Sequence, residues 1–141
     1  MRAVLDTSVL VAALRSPMGA SDLLFQAVLE GMLRPLISVP LVLEYEAVLS
    51  RPKQLAVSGF STEEVVGVVK AFCRLGEPVH LARSLRPQLV DPDDEFVLET
   101  AVYGKADVIV TFNVRDFRRA ALTLGIETIS PKEALWRMRR L

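Results

Sequence analysis

The sequence predicts an α/β fold: a three-layer α/β/α sandwich on a mostly parallel central sheet of four to five strands. Two observations predict it. Short apolar segments, such as residues 2–5, 35–38 and 108–111, alternate along the whole chain with segments of helical periodicity. Most of these apolar segments run on continuously instead of alternating with polar residues, which marks strands covered by helices on both faces.

Each element has a local reason. Residues 2–5 read as a buried first strand ending at Asp6, and residues 8–14 (SVLVAAL) as a short helix stopped by Ser16-Pro17. A second helix is expected from about Ser21, which can cap it, to Met32, with Leu24, Ala27, Val28 and Gly31 at helical spacing. After a strand at 35–38, a helix over 39–50 carries Leu41, Val42, Tyr45, Val48 and Leu49 on one stripe, and Arg51-Pro52 ends it. Ser61 and Glu64 form a capping box for a helix reaching about Leu75. Gly76 ends that helix, and Val79-His80-Leu81 reads as a weak strand.

The run Asp91-Pro92-Asp93-Asp94-Glu95 opens a helix to about Tyr103, its acidic residues suiting the positive end of the helix dipole. Val108 to Thr111 is a strong strand, followed by a helix from about Arg115 to Leu124, closed by Gly125, and a strand at 126–129. Ser130-Pro131 starts a C-terminal helix, with Glu133 completing a second capping box. No repeat or linker interrupts the pattern, so residues 1–141 are expected to form a single domain.

Composition narrows the function classes. The chain is 51% hydrophobic with a mean hydropathy of +0.34, so it is expected to be globular. Seventeen basic residues balance seventeen acidic ones, so any polyanion must meet a local patch. Cys73 and His80 are the sole cysteine and histidine, which excludes an intrachain disulfide and a Cys/His zinc site and fits a reducing cytosol. The start shows no apolar signal region and no segment is long enough to span a membrane, so a cytoplasmic protein is expected.

In such folds ligands bind at the carboxyl ends of the strands. Asp6-Thr7-Ser8 follows the first strand, Asn113 and Asp116 follow the 108–111 strand, and the acidic run 91–95 opens the helix leading into that strand. Hard oxygen donors in that number suit Mg²⁺ or Mn²⁺. Each group also has a plainer reading: Asp6 or Ser8 as a helix cap, the run 91–95 as an N-terminal dipole partner, Asn113 and Asp116 as turn formers. The functional case is their coincidence at one sheet edge.

Periodicity singles out one carboxylate. Asp94 lies three, four and seven residues before Val97, Leu98 and Ala101, so it shares their apolar face, where an unpaired charge is costly. On the 39–50 helix, Glu44 and Glu46 flank the stripe symmetrically, and spacing does not choose between them. There is no G-x-G-x-x-G, no P-loop and no G-x-S-x-G elbow, and a lone histidine argues against a hydrolase triad. His80 reads as structural or surface-exposed, and Cys73 as a small core residue.

Four blocks in this order, VLDTSVLVAAL, VPLVLEYEAVL, DPDDEFVLETA and VIVTFNVRDF, resemble a PIN-domain ribonuclease of the kind found as VapC-like toxins in type II toxin–antitoxin pairs. The resemblance implies that Asp6, Glu44 and Asp94 are three catalytic, metal-binding carboxylates, with Thr7 or Ser8 the polar neighbour of the first. For the fourth, the common family position falls on Asn113, while a variant pattern ending NxxDF points to Asp116. It also implies Mg²⁺ or Mn²⁺, an RNA substrate, a homodimer and a small antitoxin partner. Two metals about 3.5–4 Å apart would act on the attacking and leaving oxygens of the phosphodiester.

Arg115, with Arg118 and Arg119, or the C-terminal Arg137, Arg139 and Arg140, could neutralise phosphates. Two other classes stay open. One is a PIN-like module that binds RNA or a protein without cutting, which Asn113 favours. The other is a small-molecule phosphohydrolase, which Ser8 disfavours because it stands where a second Asp would be needed.

Overall fold

A computed structural model describes residues 1–81 and 92–139, with the backbone alone at 92–95 and 120. The central strand β1 (Arg2–Leu5) buries Ala3, Val4 and Leu5 almost completely, as a strand covered on both faces must. β2 (Arg34–Ile37) and β4 (Val108–Val110) flank it, while β3 (Glu77–Pro78) and β5 (Glu127–Ile129) form the edges. The order is β3-β2-β1-β4-β5 and all four pairings are parallel, with Ala3 opposite both Pro35 and Val108.

Among the described residues eight helices connect these strands: α1 (Thr7–Arg15), α2 (Ala20–Leu29), α3 (Val39–Leu49), α4 (Pro52–Ser58), α5 (Thr62–Leu75), α6 (Pro92–Gly104), α7 (Val114–Thr123) and α8 (Pro131–Arg139). From β1 the chain steps outward through β2 to β3, then returns past β1 to β4 and β5. Right-handed crossovers in the two directions place their helices on opposite faces, which produces the α/β/α layers. The reversal makes the gap between the ends of β1 and β4 a topological switch point. No helix among the described residues is long and apolar enough to cross a membrane.

The core is continuous from α2 (Leu24, Val28) through α3 (Leu41, Tyr45, Leu49) and α5 (Val65, Phe72) to α6 (Val97, Leu98, Ala101). Phe72 stacks on Phe25 at 6.1 Å and meets Tyr45 edge-on at 5.7 Å and 86°. The Tyr45 hydroxyl donates to the Leu5 carbonyl, tying α3 to the end of the central strand. Burial pushes the Tyr45 phenol well above its usual value, and Asp6 adds to the shift.

Several expectations are corrected. Ser21 does not cap α2: Gly19 holds that place, and Ser21 lies buried inside the helix with its hydroxyl unpartnered. Gly31 lies beyond the end of α2 rather than on its stripe. Pro52 does not merely end α3; it starts α4, where a first-turn proline forfeits no hydrogen bond, and Gly59 in the left-handed region closes that helix. The third strand is Glu77–Pro78 rather than 79–81. A Cβ on Gly76 would lie 3.0 Å from the Pro35 carbonyl, so glycine lets the chain close on β2 immediately after α5.

Arg2 and Arg34 then pair with Glu77, and the Arg2 guanidinium holds that carboxyl below its usual range. The capping box at Ser61 and Glu64 forms with both arms. At α8, Ser130 accepts from the Glu133 amide at 3.1 Å, but the Glu133 carboxylate accepts from Arg137 instead of reaching back.

Two substitutions test this frame. Ser61→Ala removes one arm of the box and should cost about 1 kcal/mol of unfolding free energy, or roughly 3–4 °C in Tm. Tyr45→Phe leaves the Leu5 carbonyl without this donor and should cost about 1–3 kcal/mol in urea unfolding at pH 7. Because the native phenol titrates above the unfolded one, its contribution is complete below the unfolded value and falls as pH rises. The margin of wild type over Tyr45→Phe should therefore shrink above about pH 10; a margin that widens there would contradict the burial of a neutral phenol.

Candidate active site

The switch point is occupied by Asp6. Its amide donates to the Val110 carbonyl at 2.9 Å, so the residue is still tied to β4, and its carbonyl accepts from the Val9 amide at 2.9 Å, beginning α1. The side chain makes no capping bond, so the capping reading is not realised. Instead Oδ2 accepts two hydroxyls, Ser8 Oγ and Thr111 Oγ1, each at 2.7 Å. Thr111 follows β4 and itself accepts from the Asn113 amide at 2.9 Å. A chain of neutral donors thus links the ends of the two central strands.

Asp6 is only 4% exposed. Among the described residues no basic side chain pairs with it and no protein donor reaches Oδ1. A buried carboxylate with a remaining oxygen of this kind fits a cation.

Asp6 opens onto a cleft of about 510 Å³. Thr7, Ser8 and Asn113 line it on the strand-end side, and Glu44 faces it from α3. Of the two α3 glutamates, Glu44 lines the cleft, whereas Glu46 is close enough to Cys73 to raise the thiol further after burial has done so.

Asp116 sits in the first turn of α7, exposed, and neither it nor Arg115 lines the cleft. Asn113 does, and its carbonyl accepts from the Asp116 amide at 3.0 Å to start α7. Asp94 lies in the first turn of α6 ahead of the buried Val97, Leu98 and Ala101, but its side chain, those of Asp93 and Glu95, and all of Asp91 lie outside the described residues. Among the described residues, which do not include the Asp94 side chain, no three His, Cys, Asp or Glu side chains gather closely enough to hold a metal ion.

The donors present fit Mg²⁺ or Mn²⁺. Asp6 and Glu44 offer carboxylate oxygens, Ser8 and Asn113 neutral ones, and no histidine or cysteine lines the cleft.

The cationic residues of the cleft are not those expected from sequence. Arg15 and Arg51 line it. Arg115, Arg118 and Arg119 are exposed elsewhere on α7. Arg137 is occupied by Glu127 at 2.9 and 2.5 Å and by Glu133 at 3.1 Å, and Arg140 lies outside the described residues. Arg15 closes α1 and Arg51 precedes α4, the helix hidden behind Pro52, so only the folded arrangement brings them to the acidic end.

The PIN domain family model matches residues 2–115. That span contains Asp6, Glu44, Asp94 and Asn113 and ends one residue before Asp116. No curated protein and no solved structure matches the chain. PIN domains are generally nucleases that use divalent metals on a nucleic-acid substrate, and the five-stranded all-parallel sheet with its helices is consistent with a PIN-like α/β/α fold. The match covers most of the chain, and the protein belongs to the PIN domain family.

Proposed function

We propose that this PIN domain is a Mg²⁺- or Mn²⁺-dependent endoribonuclease, the toxin of a type II toxin–antitoxin pair. The observation that carries the reading is the buried Asp6 carboxylate, held at the switch point and sharing one cleft with Glu44. Asp6, Glu44 and Asp94 would hold the metal, with Asn113 or Asp116 completing the set. A bound metal supplies an activated water and neutralises charge on the phosphate.

The chain does the rest. The Ser8 and Thr111 hydroxyls fix the rotamer of Asp6, Tyr45 fixes the strand end that carries it, and the packed α3 presents Glu44. Such positioning by surrounding groups sets how well a site holds its metal. By resemblance to VapC-like toxins, the protein is proposed to be a single-domain cytoplasmic homodimer over residues 1–141, restrained by a small antitoxin. Asn113, an amide in the cleft, favours one second reading: a PIN-like module that binds RNA without cutting it.

A direct assay incubates the protein with structured RNA, and with a generic phosphatase substrate, in Mn²⁺ and in EDTA. RNA cleavage should appear only with Mn²⁺. Glu44→Gln and Asp94→Asn should each lower kcat by about 100-fold or more, a loss of roughly 3 kcal/mol, while Glu46→Gln stays near wild type. Binding without cleavage supports the second reading. Phosphate release without RNA cleavage, or equal loss from Glu44→Gln and Glu46→Gln, would count against the assignment.

A further inference from the structure

We infer that Arg15 and Gln54 form a phosphate clamp at the end of the cleft away from Asp6, where Arg15 grips a phosphate of the RNA strand flanking the cleavage point and Gln54 is its positioning residue. The inference rests on the nuclease reading for the identity of the strand.

Gln54 is 3% exposed although it sits in a short surface helix. A buried amide needs partners at both ends. Its Oε1 accepts from Arg15 Nε at 2.6 Å, and its Nε2 donates to the Val11 carbonyl at 3.4 Å. Both bonds go to α1, so α4 is fastened to the last turn of α1 and the guanidinium is held by its inner nitrogen. With Nε–H used, the two Nη groups present the planar fork that suits a phosphate.

Arg15 is exposed and lines the cleft, with Arg51 beside it. Among the described residues neither arginine is in an ion pair, whereas Arg2, Arg34 and Arg137 are all paired with glutamates. Asp6 and Arg15 lie nine residues apart at opposite ends of α1, roughly 13 Å along its axis. Asp6 at one end of α1 and, at the other, a held guanidinium in no ion pair among the described residues line one cleft, which suits an extended polyanion cut at the first end and gripped at the second. Such a grip strengthens binding in ground and transition states alike, so its loss should appear in KM.

The test uses the full-length protein with an RNA oligonucleotide: binding in EDTA as a function of salt, and cleavage kinetics in Mn²⁺. Arg15→Ala should raise KM about 10-fold with kcat within about two-fold. The slope of log affinity against log salt should fall by about 0.7, the value for one lost single-strand phosphate contact. Gln54→Leu should raise KM about three-fold in the wild type and not at all in the Arg15→Ala background, because its effect runs through Arg15. Arg15→Met keeps the apolar stem and serves the same comparison if the Ala variant fails to fold.

A folded Arg15 variant with unchanged KM and salt slope overturns the clamp and leaves the nuclease reading intact. Equal effects of Gln54→Leu in both backgrounds also overturn it, reducing Gln54 to a fastener of α4. RNA binding with the predicted slope change but no Mn²⁺-dependent cleavage supports the clamp and overturns the nuclease reading.

Discussion

The structure is organised around one buried carboxylate. Asp6 stands at the end of the most enclosed strand of the sheet, where its backbone continues the pairing with β4 and begins α1. Its side chain is 4% exposed, at the wall of the cleft, and accepts from two hydroxyls on one oxygen. Removing a carboxylate from water costs several kcal/mol even after relaxation, and two neutral donors offset part of that. A cation at the other oxygen would offset the remainder. On the proposed metal-binding reading, stability is given up here for binding, and the surrounding core carries it.

That core is arranged to do so. Tyr45 fills the space between Phe72 and β1 and donates to the strand's last carbonyl, so α3 cannot slide without breaking both an aromatic contact and a buried hydrogen bond. Glu44 precedes it and inherits that rigidity. On the other side Thr111 closes the link from β4, and α1 spans the cleft from Asp6 to Arg15. Asp6 and Arg15 thus lie at the two ends of one helix, and their separation is set by its length rather than by a loop.

Much of this was legible in sequence. A continuous apolar strand followed by Asp-Thr-Ser placed Asp6 at a sheet edge, and the stripe through Tyr45 placed α3 against the core. What was not legible depended on contacts distant in sequence. Glu44 and Glu46 are equivalent by periodicity; only the cleft that Glu44 lines and the neighbourhood of Cys73 beside Glu46 separate them. α4 was missed because Pro52 reads equally well as an ending and as a first turn, and with α4 went Gln54 and its hold on Arg15, 39 positions away. β3 was displaced because its position follows from pairing with β2 and from Arg2 binding Glu77 across 75 positions. The Asp94 side chain, expected on the apolar face of its helix, lies outside the described residues.

On the proposed reading, the Asp6 carboxylate is a destabilising group kept for a divalent cation. Thermal unfolding of wild type and Asp6→Asn, each in EDTA and in Mn²⁺, tests it most directly. In EDTA the variant should melt at or above the wild type, since the amide removes a buried charge. In Mn²⁺ the wild type should rise by several degrees and the variant should not, because a ligand raises the transition by binding the native state in preference to the unfolded one. An equal rise in both proteins, or none in the wild type, would contradict the account.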